Sequence, residues 1–258
     1  MDNKIIMKQH DNKVVYAEEN RCYKVFNSDY GKSDILNEAL NISRVEETGL
    51  RIPNLLAIEV IDGKWGLVTE FIEGKNMEDL LNENPEKEDE LIGRFVDVQV
   101  HMQKQSVPLL RKHRDKMNYK IGLTDLSATL RYDLHKRIEA MPRHNYLCHG
   151  DYNPSNVIIG AKDGKAYIVD WSHATQGNVE ADVARTFMMF LVEGKDSRAY
   201  KYLNNYIEKT DIDRDIVLQW LPILAASQST KGIKKQSEFL RKLVYMNKEE
   251  LRAEYNGR

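Results

Sequence analysis

Over roughly the first seventy residues, apolar positions alternate or cluster in short runs separated by polar turns. "KIIMK", "VVYAEE" and "RCYKVFN" read as three strands, with turns at Gln9–Lys13 and Glu19–Asn20. Ser33–Asp34 then offers a helix N-cap. Ile35, Leu36, Ala39, Leu40, Ile42 and Val45 follow at helical spacing until Gly49. Two further β-rich runs, "LLAIEVID" and "WGLVTEFIE", flank an Asp62–Gly63 hairpin turn, and Gly74 closes the block. Beyond it the period is helical: Leu91, Phe95, Val98 and Met102 make one stripe, and Leu126, Leu130, Leu134 and Ile138 another. A β island interrupts the helices, with "YLCHGD", "NVIIG", the turn "AKDGK" and "AYIVDW"; helices resume from about Asp182. The pattern predicts an α+β chain. A small β-rich N-lobe with one helix spans 1–73 and ends in a hinge near Glu70–Gly74. A larger, mainly helical C-lobe spans 74–258 and carries an inserted hairpin.

Composition narrows the class. The chain has 258 residues, 41% hydrophobic and 30% charged, which suits a soluble globular protein with a sizeable core. No apolar stretch approaches membrane-spanning length, so no membrane partner is expected. The opening "MDNKIIMKQHDNK" has no apolar core of a secretory signal. Cys22 and Cys148 have neither the number nor the spacing of a disulfide or zinc framework, and a reducing cytoplasm is the simplest location. A net charge of −2 supplies no excess of cations for phosphate backbones, which argues against nucleic acid as a partner. Charge is uneven, however: residues 78–90 are acidic, and "RKHRDKMNYK" (111–120) and "KGIKKQSEFLRK" (231–242) are basic.

The chemistry gathers in the β island. In "CHGDYNPSNVIIG", Asp151 and Asn156 precede one apolar strand, and Asp170 ends the next. Pairing of those strands brings Asn156 and Asp170 to one end of a hairpin. An amide oxygen and a carboxylate are hard donors that suit Mg²⁺ arriving with nucleotide phosphates. Asp151, just upstream, can accept a proton from an attacking hydroxyl. Phosphoryl transfer needs little beyond metal, positioning and charge stabilisation. Asn, Pro and Ser around Pro154 also suit an ordinary turn. His144, Cys148 and His149 lack the paired spacing of a transition-metal site.

"HGDYNPSN", with "IVDWSHATQGNVEADVA" downstream, resembles the aminoglycoside phosphotransferase and choline kinase branch of the protein-kinase-like superfamily. The resemblance implies a bilobal kinase-like fold, with Asp151 as catalytic base and Asn156 and Asp170 as Mg²⁺ ligands. It implies that His149 braces the loop and that Asp182 tethers its backbone. In the N-lobe it makes Lys24, in "CYKVF", the phosphate-binding lysine and Glu38 its partner on the following helix. "LVTEFIEG" becomes the last strand and hinge, with backbone groups of Glu70 and Ile72 at the adenine edge and Thr69 behind it.

Two features depart from the family pattern. "MKQHDNKVVY", which should cover the phosphates, has no glycine, and Lys8, Lys13 or loop amides stand in its place. Two residues after Asp170, where the family commonly has a second acid, stands Ser172, followed by His173. The expected function is a Mg²⁺- and ATP- or GTP-dependent kinase acting on a hydroxyl of a small molecule, as a monomer or homodimer. The alternative is a kinase-like nucleotide-binding or regulatory protein with weak or no turnover. A protein kinase is disfavoured: eleven residues separate Asp170 from Asp182, too few for a peptide-docking loop, and no APE-like sequence closes the segment. The basic C-terminal run, with Lys231, Lys234, Lys235, Arg241 and Lys242, favours an anionic or neutral acceptor over a polycation.

Overall fold

A computed structural model describes residues 4–10, 12–229 and 237–256. Lys231, Lys234 and Lys235, expected to shape the acceptor field, lie outside the described residues. The same holds for the side chain of Lys8. The chain forms two compact units, one of residues 1–85 with 154–174, the other of 86–153 with 175–258. Contact density therefore groups the hairpin with the N-terminal sheet, although sequence period alone places it among the helices.

The first unit is built on a five-stranded antiparallel sheet ordered β1-β2-β3-β5-β4, formed by Ile5–His10, Lys13–Glu18, Arg21–Phe26, Leu55–Ile61 and Lys64–Glu70. Asp62 and Gly63, both at positive φ, make the expected β4–β5 turn. Helix α1, Lys32–Glu46, starts before the expected Ser33–Asp34 cap; Gly31 occupies the N-cap and no side chain caps it. The face of α1 is also turned. Leu36 and Leu40 are exposed, while Glu38 and Asn41 join Ile35, Ala39, Ile42 and Val45 inside. Both polar residues have buried partners, Lys24 and the Trp171 carbonyl, and those partners outweigh the apolar stripe.

Gly74 does not end the β structure. Gly74–Asn76 is strand β6, which pairs with β8 (Val157–Gly160), itself paired with β9 (Ala166–Ile168). A Cβ at Gly74 would stand 2.1 Å from the Ile159 carbonyl oxygen, so only glycine permits this pairing. A short helix α2, Met77–Glu83, completes the unit, with Asn76 capping it through the Asp79 N–H.

The second unit is mainly helical: α3 (Glu88–Gln103), α4 (His113–Gly122), α5 (Ala128–Ala140), α6 (Val179–Val192), α7 (Asp196–Thr210), α8 (Arg214–Ser229), α9 (Ser237–Tyr245) and α10 (Lys248–Tyr255). Its two short strands, β7 (Tyr146–Cys148) and β10 (Thr175–Gly177), pair with each other. Helix α6 begins at Val179, earlier than expected, and is buried on nearly every face, which makes it the axis of the core. On α3 the buried stripe runs through Ile92, Phe95, Val96, Gln99 and Met102; the expected Leu91 and Val98 are half-buried. Gln99 turns inward because it accepts the Tyr202 hydroxyl at 2.6 Å. Leu126, expected in the α5 stripe, lies ahead of the helix, whose N-cap is Ser127. No helix among the described residues is long and apolar enough to cross a membrane.

Candidate active site

Strand β3 presents Lys24 on a covered face of the sheet, and α1 aims Glu38 at it. The Lys24 ammonium donates to Glu38 Oε1 at 2.6 Å and to Asp170 Oδ1 at 3.1 Å. Lys13, on β2, brings a second ammonium to 3.6 Å from Asp170 Oδ2. The Ser172 hydroxyl donates to Asp170 Oδ1 at 2.8 Å. Asp170 itself has left-handed backbone, φ 65, which Asp tolerates better than most side chains. It lies two residues beyond the end of β9, at the hairpin end.

These charges set one another's protonation. Burial penalises the Asp170 carboxylate, but the Lys24 and Lys13 ammoniums outweigh it and hold its carboxyl well below the usual range. Burial also penalises the Lys24 ammonium, yet Glu38 and Asp170 keep it above its ordinary value. Glu38 is pushed up by burial against the opposing pull of Lys24. Lys13 is pushed down by burial and then by Lys24.

Asn156 is buried at the end of the 3-10 turn Pro154–Asn156. Its carbonyl accepts the Val169 N–H at 2.9 Å, and Val157 stands opposite Ile168. The register thus brings Asn156 and Asp170 to the same hairpin end, as the sequence implies. The oxygen donors fit a hard divalent cation whose remaining ligands come from phosphate and water. Among the described residues, no cluster of three or more His, Cys, Asp or Glu forms a metal cage.

Thr69 lies opposite Cys22, and Glu70 opposite Arg21, at the end of β5. The Glu70 N–H donates to the Asn54 carbonyl at 2.9 Å. The Glu70 carbonyl accepts the Thr69 hydroxyl at 3.3 Å. Ile72 is buried beyond the strand end.

In the second unit, Asp182 on α6 organises the segment after β7. Its Oδ2 accepts the His149 N–H at 3.2 Å and its Oδ1 the Gly150 N–H at 2.7 Å. Gln103 donates to Asp182 Oδ2 at 3.2 Å. His149 is fully buried, and its Nδ1 accepts the Asp151 N–H at 3.3 Å, which places the ring proton on Nε2. Gly150 takes φ 76, where a side chain would be strained. Asp151 follows with a partly exposed carboxylate. Arg185 Nη2 donates to Asp151 Oδ1 at 3.0 Å, and Asn153 Nδ2 donates to the Asp151 carbonyl at 3.0 Å. Arg185 Nη1 reaches Gln228 on α8 at 3.4 Å.

Sequence reasoning missed Arg185. The available signal was its spacing: three residues after Asp182 on one helix, it shares the face that meets the loop. Of the C-terminal basic run, Arg241 and Lys242 are exposed on α9, and Lys242 pairs with Glu254 at 3.2 Å.

This chain belongs to the phosphotransferase enzyme family, whose profile matches residues 4–216. An uncharacterized kinase-like protein of Caenorhabditis elegans is 33% identical over 73 residues, which is 28% of this chain and 19% of that protein. Among solved structures, a thermostable mutant of aminoglycoside phosphotransferase APH(4)-Ia is similar at TM-score 0.67 and 13% identity, over 99% of this chain and 96% of that one. A choline/ethanolamine kinase family protein of Mesorhizobium loti is similar at TM-score 0.62 and 15% identity, over 98% and 84%. Choline kinase LicA of Streptococcus pneumoniae is similar at TM-score 0.62 and 15% identity, over 90% and 85%. The fold is thus α+β and protein-kinase-like, with a β-rich N-terminal sheet and a helical C-terminal part.

Proposed function

We propose that this protein is a cytoplasmic small-molecule kinase that transfers the terminal phosphoryl group of ATP or GTP to a hydroxyl, with Mg²⁺. The observation that carries the reading is the convergence of Lys24, Glu38 and Asp170, from a strand, a helix and a hairpin end far apart in sequence. A buried ammonium held by two carboxylates is costly to build for structure alone, and it suits phosphates that arrive with a cation. Relatives support the donor: an APH(4)-Ia mutant was crystallised with ADP and hygromycin B, and LicA with AMP. Both cysteines are free thiols, as a reducing compartment requires.

In this reading Asn156 and Asp170 hold the divalent cation, which neutralises charge on the transferring phosphoryl group when bound. Lys24, oriented by Glu38, contacts the donor phosphates. Glu70 and Ile72 offer backbone groups to the base, and Thr69 backs it. Asp151 accepts the hydroxyl proton of the acceptor as the oxygen attacks. Arg185 orients the Asp151 carboxylate through Oδ1 at 3.0 Å, and Asn153 Nδ2 lies 3.5 Å from Oδ2. Asp182 and His149 keep the loop backbone in shape. The protein acts as a monomer or homodimer.

One observation favours a second reading, a nucleotide-binding protein without turnover: the connection between β1 and β2 lacks glycine. Thermal-shift measurements with ATP or GTP and Mg²⁺, followed by coupled assays over aminoglycosides, choline, sugars and amino alcohols, separate the two. Nucleotide raises the melting temperature in both readings by mass action. Turnover of a hydroxyl compound, lost in Asp151→Asn, supports the kinase. A melting temperature unmoved by every Mg²⁺–nucleotide pair refutes both.

A further inference from the structure

In a glycine-rich phosphate loop, backbone N–H groups approach the phosphates because no side chains intervene. Here the connection from β1 to β2 contains no glycine. His10 stands opposite Lys13, so only residues 11 and 12 connect β1 to β2. The Asn12 carbonyl is bound by the Asn27 N–H at 2.9 Å, which pins the turn to the end of β3. A connection this short and without glycine is not a glycine-rich phosphate loop.

What the turn does deliver is an ammonium. Val15 lies opposite Lys24, so Lys13, two residues earlier on β2, is its diagonal neighbour on the same face of the sheet. Both side chains reach Asp170: Lys24 to Oδ1 at 3.1 Å and Lys13 to Oδ2 at 3.6 Å. The Lys13 side chain is only 20% exposed, so this is not a lysine trailing in solvent. Two ammoniums brought to one carboxylate repel each other, an arrangement that stability alone does not favour. If Asp170 held a divalent cation, Lys24 would keep Glu38 as its own counter-charge, and Lys13 would be placed to face phosphate oxygens accompanying the cation.

We propose that Lys13 is a second phosphate-binding residue that replaces the glycine-rich loop, so that this protein grips its nucleotide between two side-chain ammoniums. The proposal rests on the kinase reading above. It predicts a dependence on phosphate number that a lysine serving only as a surface ion pair does not produce.

The test is calorimetric titration of wild type, Lys13→Met and Lys13→Arg with ATP, ADP, AMP and adenosine, each with Mg²⁺. Methionine keeps the aliphatic stem and its packing while removing the charge. Lys13→Met should bind ATP and ADP about tenfold or more weakly, the loss expected of one charge-assisted hydrogen bond, and adenosine as wild type does. Lys13→Arg should keep most of the affinity. Unchanged ATP binding by Lys13→Met, or an equal loss for ATP and adenosine, overturns the role of Lys13 and leaves the kinase reading standing. Failure of the wild type to bind any nucleotide overturns both.

Discussion

The two units hold their candidate functional residues by opposite means. In the first, side-chain charge faces side-chain charge: Lys24 and Lys13 against Glu38 and Asp170. In the second, Asp182 holds the loop through the backbone N–H groups of His149 and Gly150, with Gln103 behind it. Ion pairs between side chains can be exchanged when a cation and phosphates arrive. Backbone donors locked onto a buried carboxylate have no such competitor. In the proposed kinase the first cluster would be re-partnered and the second would stay fixed while a proton moves.

The sharpest way to break this contrast is to remove one carboxylate from each kind. Asp151→Asn should lower transfer about 10²–10⁴-fold, the usual worth of a general base, and leave Mg²⁺–ATP binding intact. Asp170→Ala should abolish that binding. Equal loss of binding in the two variants, measured by titration calorimetry, ends the division of roles.

Next in size is the loop scaffold. Asp182→Ala leaves two backbone amides and Gln103 without their acceptor, which costs about 3 kcal/mol of stability. Urea unfolding measures it, and a variant as stable as wild type would show that the loop is held by something else. On the exchangeable side, Lys24→Ala should weaken ATP binding about a hundredfold. Glu38→Gln, which spares the ammonium and removes its orienting charge, should weaken it about tenfold. Reversal of that order would make Glu38 the primary contact.

The smallest effect concerns acid. His113, buried on α4, is kept neutral by burial and by the nearby Lys116 and Arg185 charges, with its pKa lowered to about 3. The unfolded chain binds this proton near pH 6.5, so stability falls as pH drops through the window between the two values. By pH 5 the loss from this group is about 2 kcal/mol. Urea unfolding at pH 7.5 and pH 5 should show it, and His113→Gln should flatten it. An equal slope in the variant would move the acid sensitivity to other groups.

Much of this was legible in the sequence because the chemistry is local. The spacing of Asp151 and Asn156, and the hairpin that carries Asp170, lie within about twenty residues, where strand pairing is set by one turn. Lys24 and Glu38 were readable only through the family resemblance, since a lysine on a strand and an acid on a helix are ordinary surface choices. What escaped depends on distant partners. The α1 face turned because Glu38 and Asn41 have buried partners that periodicity does not record. The pairing of β7 with β10 joins segments separated by α-helix-free loops and the whole hairpin, and three-residue strands carry almost no pattern. Arg185 looked like one more polar residue on a helix until its carboxylate was in view.

Gly74 has a mechanical consequence. Four residues after β5 ends at Glu70, it joins the sheet whose far end bears Asn156, with the backbone of Ile159 so close that a Cβ would clash with it. The segment after Glu70 is therefore clamped directly against the strand that follows Asn156, without a side chain as spacer. An alanine at this position must force β8 aside, and its effect should be felt at Asn156 rather than locally. In the proposed kinase, a substitution remote in sequence would then register as a defect in cation affinity with Asn156 and Asp170 both still present.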